Sequence, residues 1–159
     1  MKEHAPIKRS PALVSFSKEH HSGLLLVWKI RQGLHKAVNA ERISNYLLLS
    51  FKEELEKHFS DEEELLFCKL PAEDDLRKRA EEDHLAIHKL VNAIRENKED
   101  TNLLNKFAIA LEAHIRFEER ELFNHIQNYI AEDELEKIAA RLSNNPKSID
   151  EQWKDEFWN

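Results

Sequence analysis

The residues best equipped for chemistry in this chain are histidines and carboxylates set four positions apart. His58, Glu62, Glu63, Leu66 and Phe67 are echoed at identical offsets by His114, Glu118, Glu119, Leu122 and Phe123. Between the two copies lie Glu81, Glu82, Asp83, His84 and His88. On a helix, side chains four residues apart share a face, with Cβ atoms roughly 6 Å apart. That spacing lets an imidazole and a carboxylate grip one metal ion or two adjacent ions. A repeated phrase of this kind encodes a metal site built between facing helices.

The chain has only two Gly and four Pro, and it is rich in Leu, Ala, Glu and Lys, as an all-α protein should be. Ser10 and Pro11 open a first helix that runs to about Ala37, with Leu13, Phe16, Leu24, Val27, Trp28, Ile30 and Leu34 on its apolar stripe. Gly23 and Gly33 within it offer places for close helix approach. A second helix runs from about Ala40 to Phe67 and stops before Pro71. Asp74 and Asp75 supply acids for the start of a third, ending near Asn97. Asp100 and Thr101 cap a fourth that carries Leu104, Phe107, Leu111, Ile115, Leu122 and Ile126. Short turns make successive helices antiparallel neighbours, so the expected architecture is an up-down-up-down four-helix bundle. A shorter helix follows from Glu132 to Leu142, then a break at Ser143 to Pro146 and an aromatic, acidic tail from Trp153 to Trp158. The tail is expected to pack across the bundle; docking of a protein partner is the alternative.

In such a bundle, residues equidistant from a shared turn stand at the same height, because each residue rises 1.5 Å. His58 and His84 flank the Pro71 turn equally. His88 and His114 stand comparably far from the turn near Asp100, and His20 matches His58 across the turn near Asn39. Five histidines on four helices thus fall in about one layer. His35 stands roughly 22 Å along the first helix from His20 and drops out, as do His125 and His4. His20 and His21 point about 100° apart, so one of them faces the core. His20 shares the stripe of Leu24, Val27 and Trp28 and is preferred, with His21 the alternate.

Imidazoles and carboxylates buried in a core would be costly without a partner, and a metal removes that cost. Five imidazoles and two carboxylates without thiolate suit iron, ahead of manganese or zinc. Seven protein ligands exceed the needs of one ion, and two ions bridged by carboxylates would use them. A ferritin-type scheme needs two Glu-x-x-His motifs, and only Glu81 with His84 has that spacing.

Composition excludes several other roles. Net charge is −7, with no basic run or basic helix face, so nucleic acid is not an expected partner. Cys68 is the only cysteine, which rules out an intrachain disulfide or a Cys-based zinc site, and it reads as a packed apolar residue. No apolar run is long enough to span a bilayer and Met1 to Ser10 has no signal-peptide core, so a soluble cytoplasmic protein is expected. Trp28 and Tyr46 read as core or pocket lining, and Lys29 and Arg31 as solvated or reaching along the surface of the first helix.

The chain resembles the hemerythrin-like, or HHE cation-binding, domains. The resemblance is carried by Glu19-His20-His21, His58 with Glu62, His84 with His88, and His114 with Glu118 and Glu119, over about residues 11 to 130. It implies one hemerythrin-like domain over 1–159, with the bundle at about 11–130 and a C-terminal helix and tail at about 131–159. It further implies a non-haem di-iron centre in which His84, His88 and His114 bind one iron and His20 and His58 the other. Glu62 and either Glu118 or Glu119 would bridge the irons, with an oxo or hydroxo group. Oxygen-carrying members place the second acid five residues after the last histidine, which points to Glu119; many bacterial relatives place it four after, which points to Glu118. The internal repeat aligns Glu118 with Glu62 and favours Glu118.

The implied function is binding of dioxygen or a related diatomic such as nitric oxide, by a monomer or homodimer. The alternatives are a di-iron redox enzyme acting on peroxide or nitric oxide or donating iron, and a metal-dependent sensor or interaction module. Met1 to Ser10 does not read as the aromatic N-terminal arm of the oxygen carriers or the Cys-bearing region of the iron-centre repair proteins, so oxygen storage or transport and repair are the less expected roles.

Overall fold

A computed structural model describes residues 8–142 and 153–159. His4 and the break at Ser143 to Pro146 lie outside the described residues. Every described element is helical. Helix α1 is Pro11–His35, α2 covers 40–69, α3 is Asp75–Glu96, α4 covers 101–129 and α5 is Glu132–Arg141. No described helix is long and apolar enough to cross a membrane.

The ends follow local chemistry. Asp74 accepts hydrogen bonds from the Leu76 and Arg77 amides, and Asp100 from those of Asn102 and Leu103, so both expected acids satisfy amides the helix leaves open. Asn39 caps α2 through the Glu41 amide. Ser10 and Pro11 open α1 as expected, although the Ser10 side chain makes no cap hydrogen bond; its amide donates to Gln127 of α4 at 3.0 Å. Ala37, with φ of 54°, turns the chain after α1, and the Val38 amide closes back on the Gly33 carbonyl at 3.0 Å. The α1 glycines do permit close approach. A Cβ on Gly23 would lie 2.8 Å from Ile115 Cδ1, and one on Gly33 would lie 2.8 Å from Ile43 Cδ1 and 3.0 Å from Phe157 Cδ2.

Two of the rods depart from a plain α-helix. In α2, π-turns occupy Phe51–Leu55 and Glu62–Leu66, and in α4 one occupies Glu118–Leu122. The last two begin on the repeated glutamates. A π-turn adds one residue to a turn and marks functional positions in many helices. Here Glu62 shares its buried face with Leu66 and Phe67, and Glu118 with Leu122 and Phe123.

α1 packs against α2, α4 and α5, and α3 against α2 and α4. The core comes in two blocks. One holds Leu26, Ile30, Leu47, Phe51, Leu55, Phe59, Ile87, Val91, Phe107, Leu111 and Ile115. The other holds Leu13, Phe16, Leu65, Leu66, Ala80, Phe117, Leu122 and Phe123, with Leu135 and Ile138 of α5. Along each of the four long helices, the candidate ligands fall between residues of the two blocks.

The tail packs on the bundle. Phe157 is 2% exposed, and Tyr46 meets the rings of Trp153, Phe157 and Trp158 at centroid distances of 5.3, 5.6 and 5.1 Å. Lys29 is buried beneath it, donating to Tyr46 Oη at 2.8 Å with its ammonium 4.0 Å from the Trp158 ring centroid. Arg42 clasps Asp155 through two hydrogen bonds. Lys29 is therefore not solvated as its type suggests, because a segment over a hundred residues away covers it. Trp28 is exposed rather than core, and Cys68 is exposed with its thiol donating to the Glu64 carbonyl. Phe157→Ala should cost about 3 kcal/mol, as removal of a buried Phe does elsewhere. In a chain this long that lowers the melting temperature by roughly 6–12 °C. A thermal melt within 2 °C or so of wild type would refute anchoring by this ring.

Candidate metal centre

Four helices deliver six buried groups to one place. α1 gives His20, α2 gives His58 and Glu62, α3 gives His84, and α4 gives His114 and Glu118. They form two sets, His20–His58–Glu62–Glu118 and Glu62–His84–His114–Glu118, each with its ligand atoms within 4.8 Å of one another. Both carboxylates belong to both sets. Every Nε2 points inward: His20 to Glu118 at 2.9 Å, His58 to Glu62 at 3.3 Å, His84 to Glu62 at 3.2 Å and His114 to Glu118 at 3.3 Å. The rings are walled by aromatics. Phe59 stacks on His84 at 4.0 Å and Phe123 on His20 at 5.3 Å, while Phe16 meets His58 edge-on at 5.8 Å.

Of the alternates, His21 is exposed. Glu119 stands outside both sets; it meets His20 Nδ1 at 2.8 Å, accepts from Ser17, and pairs with Arg9. His88 also stands outside both sets. It lies one turn beyond His84 on α3, half-buried, with its ring edge-on to Phe51 at 5.0 Å and near Phe59 at 6.1 Å. His125 pairs instead with Asp74 at 2.6 Å, and His35 is exposed at the end of α1.

The electrostatics suit a cation. Burial opposes charge on His114, but the charge of Glu118 and hydrogen bonds donated to Asp83 and Glu118 outweigh it and raise the imidazole to about 10. Burial likewise opposes charge on His58, His20 and His84, and the surrounding glutamates overcome it, most of all at His58. Burial also opposes charge on Glu118, yet His114, Glu62 and His20 hold it well below the usual carboxylate range. Glu119, despite its burial, is drawn down to about 2 by His20, Ser17 and Arg9. The glutamates thus favour positive charge at this centre.

The polar atoms themselves favour a metal. Both Glu62 oxygens, Glu118 Oε2 and both His58 nitrogens are buried without a hydrogen-bond partner. An unmet buried polar atom costs about 1–3 kcal/mol. The Nε2 atoms of His84 and His114 face each other at 3.1 Å. Two cations, one in each set, would give the Glu62 and Glu118 oxygens and the inward Nε2 atoms partners, while His58 Nδ1 faces outward to Glu19 at 3.4 Å. The donor set of nitrogen and oxygen without thiolate accepts iron, manganese or zinc.

A helical bundle with His/Glu cation-binding groups sealed in its core is thus the class of protein defined here. The chain matches the hemerythrin HHE cation binding domain over residues 13–126 and belongs to that family. No curated protein and no solved structure matches it.

Proposed function

We propose that this chain is a single-domain, up-down-up-down bundle that holds two iron ions and binds dioxygen or a related diatomic such as nitric oxide. The observation that carries this is the sharing of two buried carboxylates, Glu62 and Glu118, by two pairs of imidazoles. His20 and His58 would hold one ion, and His84 and His114 the other. When bound, the two ions supply reversible electron transfer to the diatomic ligand. The chain's residues do the rest. Nε2 of each histidine aims at the centre, the two glutamates set the spacing, and Phe16, Phe59 and Phe123 hold the rings and exclude water.

His88 becomes a fifth imidazole ligand only if its ring turns from Phe51 toward the centre. His88→Ala separates the two ligand counts: loss of one ion per chain makes it a ligand, and retention of two makes it a packing residue. The decisive test is elemental analysis of protein from iron-replete cells, followed by spectra of the reduced protein under air and nitric oxide. Two irons per chain and a reversible spectral change are expected. One zinc per chain, or a reduced spectrum indifferent to both gases, would overturn the assignment.

A further inference from the structure

Each ligand histidine turns its second nitrogen, Nδ1, toward a carboxylate on the rim. His58 of α2 faces Glu19 of α1 at 3.4 Å; His84 of α3 faces Glu63 of α2 at 3.4 Å; His114 of α4 faces Asp83 of α3 at 2.9 Å; His20 of α1 faces Glu119 of α4 at 2.8 Å. The order is cyclic. Each helix hands one acid to the histidine of the next, and α4 closes the circle onto α1. Each of these acids is the sequence neighbour of a ligand: Glu19 precedes His20, Asp83 precedes His84, and Glu63 and Glu119 follow Glu62 and Glu118.

We infer that Glu19, Glu63, Asp83 and Glu119 form a closed ring of positioning residues that fixes the proton of each imidazole on Nδ1 and presents Nε2 to the metal ions. The inference rests on the two-ion assignment above. An imidazole whose Nδ1–H meets a carboxylate has its tautomer and ring orientation set, and it becomes a more basic ligand. The ring differs from incidental surface acid in two ways. All four members reach a different helix, and each meets one histidine of the centre. Two links have hydrogen-bond geometry, at His20 and His114, while those at His58 and His84 stand at 3.4 Å without it. Glu119 owes its place to a clasp of its own, since Arg9 and Ser17 hold the same carboxylate that meets His20.

The test uses the full chain loaded with zinc, with the rate of zinc transfer to a chromogenic chelator as readout. Asp83→Ala and Glu119→Ala should still take up two ions but release them about 10–100-fold faster, the usual effect of losing such a partner. Asp83→Asn keeps an acceptor oxygen without the charge, and should recover part of the loss. Glu82→Ala removes a neighbouring exposed acid that meets no site histidine, and should leave the rate unchanged. Imidazole nitrogen NMR of the zinc-loaded wild type should show Nδ1 protonated in all four ligands. Wild-type release rates in both alanine variants, acceleration as large in Glu82→Ala, or Nδ1 bound to zinc would each overturn the ring. Wild-type protein that takes up no zinc or iron would overturn the two-ion assignment itself, whereas two firmly held ions indifferent to the ring variants would overturn the ring alone.

Discussion

Stripping the metal from this protein should lower its melting temperature by roughly 15–30 °C at mildly alkaline pH. A ligand that binds only the folded state stabilises it by about 4 kcal/mol at a thousand times its dissociation constant, so the two ions proposed above would add about 8 kcal/mol. Each kcal/mol is worth about 2–4 °C in a chain of this size. The gap should widen with pH. The folded, metal-free state holds protons on His20, His58, His84 and His114 more tightly than the unfolded chain does. That contribution is full below pH 6.5, the unfolded value, and is lost as pH rises, through about 10 for His114. Glu119 works in the other direction: its contribution is present above about 4.5, the unfolded value, and fades as pH falls through about 2. The metal-free protein should therefore be most stable between about pH 4.5 and 6.5. The loaded protein should hold its stability well above that, because metal replaces the protons on neutral imidazoles. Calorimetry from pH 5 to 9, with and without chelator, checks this; parallel curves would contradict it.

Glu62→Gln should cost the protein metal binding and metal-free stability together. Glu62 belongs to both ligand sets, so an amide in its place weakens both ions at once. Loss of a direct ligand exceeds the effect of an outer partner, so affinity should fall more than about 100-fold. The metal-free variant should also melt below the wild type, because Glu62 lies 3.3 Å from His58 Nε2 and 3.2 Å from His84 Nε2 and its charge helps hold protons on both imidazoles. Glu118→Gln should lose metal as completely and also fold less stably, since Glu118 meets His20 at 2.9 Å. Isothermal titration with zinc and parallel thermal melts would decide. A Glu62→Gln protein that still takes two ions with wild-type affinity would remove Glu62 from the centre.

Much of the centre is legible in the sequence because height along a helix is simple arithmetic. Four of the five histidines placed in one layer by counting from the turns at Asn39, Pro71 and Asp100 do come together in the two buried His/Glu groups. Glu118, which the repeat aligns with Glu62, stands with it in both groups, whereas Glu119 stands in neither. The cap at Asp100 and the acid start at Asp74, which turns out to be a cap as well, are legible because their chemistry lies within three residues. The π-turns at Glu62 and Glu118 are not, since an extra residue in one turn leaves no mark on a pattern of apolar positions. His88 has the right spacing from His84, but Phe51 and Phe59 of another helix occupy the space beside it. Lys29 escaped for a similar reason: what buries it, Trp158, is remote in sequence.

The division of the apolar core by a polar layer also bears on how the molecule opens. One block is closed by the tail through Phe157, the other by α5 through Leu135 and Ile138. Each end therefore has contacts of its own, and the two can behave as separate cooperative units. Amide hydrogen exchange in the chelated protein would then show two levels of protection, one for each end. With ions spanning all four helices at the boundary, those levels would merge into one. The centre would then serve the molecule mechanically as well as chemically, as the rivet that makes two half-cores unfold as one.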